Sequence, residues 1–200
     1  MSTEQDILEQ VQTAASSATP LDIVGGGSKR FYGHAGHGTR LATRGHSGIT
    51  DYTPSELVIS ARAGTPLAEL ETALAREGQM LAFEPPHFGV HATLGGSIAC
   101  GLSGPRRPWS GAARDFVLGV TCINGKGELL RFGGQVMKNV AGYDLSRTLA
   151  GSLGTLAVLL EIHLRVLPRP EHELTLVRAC SAAQAVRHCS TWSGLPLPLS

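Results

Sequence analysis

Apolar residues at Ile7, Leu8, Val11, Ala14, Ala15 and Ala18 recur at helical spacing and predict an opening helix that ends near Thr19-Pro20, with Ser2 and Gln5 placed as a capping box. Leu21-Asp22-Ile23-Val24 then reads as a short buried strand that runs straight into Gly25-Gly26-Gly27-Ser28-Lys29. After a polar stretch rich in His and Gly, extended patterns return at Thr39 to Thr43 and at Glu56 to Ala63. A second helix follows. Thr65 is placed as N-cap, Pro66 at a position that needs no N–H donor, Leu67, Leu70 and Leu74 on one face, and Gly78 as a left-handed stop. Together these elements predict a small α/β subdomain over roughly residues 1 to 82.

Beyond that point the pattern changes to strand-like runs, Phe116 to Ile123, Glu128 to Phe132 and Thr155 to Leu167. Asn124-Gly125-Lys126-Gly127 between two of them is a hairpin signal. A second, largely antiparallel subdomain over 83–170 is therefore expected, giving an α+β domain over 1–170 with its binding site between the halves. Pro168-Arg169-Pro170 ends the pattern. In 171–200, Leu174 to Val177 reads as a strand, and Ser181 and Gln184 cap a helix with Ala185, Val186, Cys189 and Trp192 on one face.

Composition narrows the function. The 200 residues are 42% hydrophobic and carry a formal net charge of +1, which gives no electrostatic case for nucleic acid or acidic membranes. Met1 to Asp6 is acidic and polar where a secretory signal needs a basic start, so a cytoplasmic location is expected. The apolar run Leu153 to Leu160 is cut by Glu161 and His163, so membrane association is expected only through partners, without direct insertion. Cys100, Cys122, Cys180 and Cys189 have neither cluster nor zinc spacing, and no metal site is expected.

The candidate chemistry lies in the glycine segments. Gly25, Gly26 and Gly27 follow a strand, where successive N–H groups can wrap a diphosphate while the Ser28 hydroxyl adds a donor. An ordinary turn explains the same residues. In Pro85-Pro86-His87-Phe88-Gly89-Val90-His91-Ala92-Thr93-Leu94-Gly95-Gly96-Ser97-Ile98-Ala99-Cys100-Gly101, glycines and small side chains let the main chain approach a ring or phosphate, and a tightly packed glycine-bearing strand is the alternative. Gly151, Ser152, Gly154 and Thr155 form a turn that is either a cofactor contact or a plain helix cap. Neither a Walker loop nor G-x-G-x-x-G is present.

In this order, Val24 to Lys29, Pro85 to Gly101 and Leu149 to Leu156 resemble the vanillyl-alcohol-oxidase-type (PCMH-type) FAD-binding domain. Gly104-Pro105-Arg106-Arg107-Pro108-Trp109-Ser110-Gly111 and Val136-Met137-Lys138-Asn139-Val140-Ala141-Gly142-Tyr143-Asp144-Leu145 are similar to a narrower family, the E subunits of bacterial glycolate oxidases.

The resemblance implies FAD contacts at Gly25, Gly26, Gly27, Ser28, Lys29, Pro85, Thr93, Gly95, Gly96, Ser97, Ala99, Gly101, Gly151, Gly154 and Thr155, with no catalytic residue assigned. Ser28 stands where covalently flavinylated relatives carry a histidine, which implies non-covalent FAD; His34, His37 and His46 are read as structural or neutral. The implied function is oxidation of glycolate, or a related 2-hydroxy acid, to glyoxylate, by a complex with a homologous flavoprotein subunit and an iron–sulfur subunit. On this reading 171–200 begins a cap domain and the chain is inactive alone; Arg106 and Arg107 either meet a substrate carboxylate or a partner, or are solvated arginines of a surface turn. The alternatives are a non-catalytic assembly or electron-relay subunit, and another PCMH-type oxidoreductase acting on lactate or a sugar alcohol.

Overall fold

The computed structural model describes residues 3–34, 36–134 and 144–195. Helix α1 (Glu4–Ser16) forms where the apolar spacing places it, but its cap is Thr3 rather than Ser2. Thr3 Oγ1 accepts the Asp6 N–H at 3.1 Å, and the Asp6 carboxylate accepts the Thr3 N–H at 2.8 Å. A carboxylate in the first turn also complements the helix dipole, which Gln5 does not. Strands β1 (Leu21–Val24) and β2 (Thr39–Ala42) pair in parallel.

Next come β3 (Ile49–Thr53), β4 (Val58–Arg62), α2 (Leu67–Arg76) and β5 (Gln79–Met80). The shared face of α2 is buried through Leu67, Leu70 and Leu74, and Gly78 at φ +63° turns the chain away. Thr65 does not cap α2. Its hydroxyl is spent on Gly48, accepting from the N–H at 2.9 Å and donating to the carbonyl at 3.1 Å, while Pro66 takes the cap position without a side-chain bond.

Three short helices, α3 (Leu94–Cys100), α4 (Arg107–Ser110) and α5 (Ala113–Phe116), lead into β6 (Val117–Asn124) and β7 (Leu129–Gly133). Helix α6 (Leu145–Leu149), β8 (Ala157–Arg165), β9 (Leu167–Pro168) and α7 (Ala182–Ser193) complete the order. The main sheet is antiparallel, in the order β3-β4-β8-β6-β7, with a β6–β7 hairpin closed by Gly127 N–H to Asn124 O at 3.0 Å. β4 pairs with β8 from Val58 opposite Arg165 to Arg62 opposite Glu161. The expected division near residue 82 therefore does not separate two sheets: β4 is buried from Val58 to Ala61 and needs β8 beside it.

β8 is sandwiched. On one face Leu70 and Leu74 of α2, Leu94 and Ile98 of α3, and Phe83 and Phe116 pack in one cluster with Ile59, Val120, Ile162 and Leu164. On the other, Ile7 and Val11 of α1 and Leu41 of β2 cluster with Ile123, Val158 and Leu160, which fixes the small parallel sheet to the large one.

The strand expected at Leu174 to Val177 is absent: these residues have no regular structure, and Leu174 and Val177 are exposed. The capping box of Ser181 and Gln184 does form on α7, but that helix buries none of its apolar residues. No helix among the described residues is long and apolar enough to cross a membrane. No group of three or more His, Cys, Asp or Glu side chains among them is placed to hold a metal ion.

Candidate functional site

β1 ends at Val24, and loop 25–30 crosses toward residues 91–93 at the closest possible approach. A Cβ on Gly26 would lie 1.4 Å from the His91 carbonyl oxygen, and one on Gly25 would lie 2.5 Å from Thr93 Oγ1. Gly27 then bends the loop at φ +71°, a conformation that other residues adopt only at a cost.

Residues 93–101 are helical, not extended. Thr93 caps α3 by accepting the Gly96 N–H on Oγ1 at 3.3 Å, and Gly101 ends it at φ +64°. The adjacent glycines do different things. Gly95 is buried against β4, where a Cβ would meet Ala63 Cβ at 2.6 Å and Ala63 O at 2.9 Å. Gly96 faces outward, and a Cβ there would meet only Thr93 Oγ1, at 3.1 Å. The third turn hangs on the end of this helix: Gly151 N–H donates to Ile98 O at 3.0 Å and Leu153 N–H to Ala99 O at 2.8 Å.

Loop 25–30, α3 and the 153–155 turn enclose a cavity of about 480 Å³, within the usual size of cofactor pockets (about 300–1,000 Å³). Of the residues singled out in the sequence, Gly25, Gly26, Gly27, Ser28, Lys29, Thr93, Gly96, Ala99, Gly154 and Thr155 line it. Pro85, Gly95, Ser97, Gly101 and Gly151 do not. Pro85 is buried, Gly95 packs on Ala63, Ser97 sits behind Lys29, and Gly101 and Gly151 touch each other, a Cβ on Gly101 lying 2.9 Å from Gly151 Cα. The wall also includes Asp22, Arg30, Tyr32, His34, Cys100 and Leu153, which sequence reasoning missed. Their one local signal was adjacency to the glycines, and their orientation depends on how loop and helix meet.

The lining is cationic. Arg30 pairs with Asp22 at 2.9 Å, but no ion pair among the described residues involves Lys29. Only 8% of Lys29 is exposed, and its ammonium donates to the Ser97 hydroxyl at 3.2 Å and the His87 carbonyl at 3.4 Å. Desolvation lowers the Lys29 pKa, with the Cys100 charge opposing, and desolvation raises that of Cys100, with Lys29 opposing. A second depression of about 810 Å³ runs along α1 past Asp6, Glu9 and Gln10 and carries no cation.

His34 lines the cavity; His37 is exposed; His46 is buried, and burial lowers its pKa. Arg106, for which a substrate, a partner or plain solvation were the open readings, is spent inside the chain: its Nε donates to Glu84 Oε1 at 2.8 Å, its backbone N–H to Glu84 Oε2 at 2.9 Å, and its guanidinium to Glu173. Arg107 and Trp109 are exposed. Lys138, Asn139 and Tyr143 lie outside the described residues, and Asp144 caps α6 by accepting the Arg147 N–H at 3.2 Å.

Bare amides, a hydroxyl and a cation with no ion pair among the described residues suit an anionic ligand. FAD is such a molecule. The FAD binding domain family matches residues 1–133. The chain is 57% identical over 196 residues to glycolate oxidase subunit GlcE of Escherichia coli (strain K12), covering 98% of this chain and 56% of that protein. It is 31% identical over 129 residues to glycolate oxidase subunit GlcD of Bacillus subtilis (strain 168), covering 64% of this chain and 27% of that one. It is 40% identical over 108 residues to a D-lactate dehydrogenase of Archaeoglobus fulgidus, covering 54% of this chain and 24% of that enzyme. The chain thus spans about half the length, or less, of these relatives.

Proposed function

This chain belongs to the FAD binding domain family, and on that premise we propose that it is the FAD-holding part of a 2-hydroxy-acid oxidoreductase that converts glycolate to glyoxylate. The observation that carries the reading is the convergence of three glycine-bearing segments, far apart in sequence, on one cavity. FAD supplies the two-electron acceptor for the CH–OH group.

The chain's own residues hold and orient it. The amides of 25–28 and the Ser28 hydroxyl offer donors to the diphosphate, Gly96 leaves room for the cofactor, and Leu153 and Ala99 give apolar walls. Attachment is non-covalent, with Ser28 in place of a tethering imidazole. The FAD-binding domain is 1–170, and 171–200 begins a cap region.

The substrate and the partners are argued from the relatives. The names glycolate oxidase subunit GlcE and subunit GlcD belong to components of an assembly, and this chain resembles both. A homologous flavoprotein subunit and an iron–sulfur subunit are therefore proposed as partners, the latter because the cysteines here have no cluster spacing to carry electrons onward.

The test is to load the purified chain with FAD, add glycolate without oxygen, and follow the visible flavin band, alone and with the co-expressed partner subunits. Bleaching that needs partners supports the proposal. Turnover by the chain alone overturns the partner requirement, and a chain that takes up no FAD overturns the reading as a whole.

A further inference from the structure

The cavity holds a charge that has no counterion among the described residues. An ammonium carries three donors, and the two that are accounted for on Lys29 go to neutral oxygens at 3.2 and 3.4 Å, long for a charged donor. The nearest carboxylate along the chain, Asp22, is taken by Arg30. Cys100, a thiol on the same wall, has its pKa raised by burial, with Lys29 opposing. A lysine is almost never this buried without an acidic partner, since desolvating its charge is costly.

We infer that Lys29 is the counter-charge for the diphosphate of FAD, and so the residue that makes this cavity prefer FAD to a phosphate-free flavin. The inference rests on FAD as the cofactor and adds which part of it the ammonium meets. Lys29 directly follows the amide-bearing loop 25–28 and is held by contacts to the 84–91 loop and to α3, so it is positioned before the ligand arrives. A diphosphate bound by that loop would find its charge neutralised at the cavity wall. The neutral isoalloxazine gains nothing comparable from a cation.

The experiment titrates the full chain, freed of flavin, with FAD, FMN and riboflavin, for the wild type, Lys29→Met and Lys29→Arg. Losing a charge-assisted contact to phosphate should weaken FAD about tenfold to hundredfold in Lys29→Met. Riboflavin affinity should stay within about twofold, because that ligand lacks the group concerned. Lys29→Arg should recover most of the FAD affinity. Unchanged FAD affinity in Lys29→Met overturns the inference, as does an equal loss for FAD and riboflavin in a variant whose circular dichroism matches the wild type; should Lys29→Met misfold, a Lys29→Arg variant that binds FAD no better than riboflavin overturns it instead. A wild type that binds none of the three refutes instead the FAD assignment on which it rests.

Discussion

The two neighbouring glycines of α3 allow the fold and the site to be perturbed separately. Gly96→Val puts a branched side chain into the cavity, and only Thr93 Oγ1, 3.1 Å from the new Cβ, stands in its way. Valine is a slightly better helix former than glycine, by about 0.4 kcal/mol, while disturbing the Thr93 cap costs about 1 kcal/mol, so the net change in stability is under about 1 kcal/mol. For a chain of this length that moves the melting temperature by about 2–4 °C at most. FAD, however, loses the volume the side chain takes, and its affinity should fall by about a hundredfold or more. Gly95→Val reverses the pattern. Its Cβ would lie 2.6 Å from Ala63 Cβ and 2.9 Å from Ala63 O, backbone that cannot step aside cheaply. Overpacking of this kind costs about 1–3 kcal/mol or more, which thermal melts and urea titration will read directly. Flavin-fluorescence titration alongside circular dichroism melts of both variants is the assay. If Gly96→Val binds FAD like the wild type, the cavity is not where the cofactor lies; if both variants lose the same stability, the division of labour between the glycines is wrong.

Acid precipitation of the FAD-loaded chain should leave the yellow colour in the supernatant; colour in the pellet would refute non-covalent binding and direct attention to His34, which lines the cavity. Burial, the larger cause, lowers the pKa of both His46 and His163, so the unfolded chain binds protons there before the folded one does. Stability should therefore fall as pH drops from about 7.5 through the unfolded-state value near about 6.5 toward the lowered folded values. The melting temperature should fall less steeply over that window in a His46→Gln, His163→Gln double variant, and equal slopes would contradict the assignment. Arg106→Met cuts the ties to Glu84 and Glu173, so limited proteolysis between residues 171 and 181 should speed up while FAD affinity holds; a large loss of FAD affinity would show that Arg106 serves the site after all.

Elements specified by local chemistry could be read from the sequence. The α1 stripe, the α2 face and the Asn124 to Gly127 hairpin each follow from residues a few positions apart, and each is present. Features that depend on distant partners could not. Thr65 is a sound cap for α2 until Gly48, just before β3, approaches and claims its hydroxyl. Leu174 to Val177 has a strand's composition but no sheet edge to join among the described residues. Two glycines argue against a helix at 94–100, yet burial of Leu94 and Ile98 and the Ala63 contact outweigh that intrinsic penalty. At the site, the glycine segments were recognisable because bare backbone is their signal. Whether a given glycine faces the cavity or the core, as Gly96 and Gly95 do, depends on the rotation of α3, and Arg106 was misjudged because Glu84 and Glu173 are far from it in sequence.

The most direct test of the central claim is a crystal structure of the FAD-loaded chain. Density for the diphosphate should lie along the amides of residues 25–28 within reach of Lys29, with the rest of the cofactor passing Gly96 and the 153–155 turn. Flavin density in the depression along α1, or at any place that leaves the glycine-lined cavity to solvent, would contradict it.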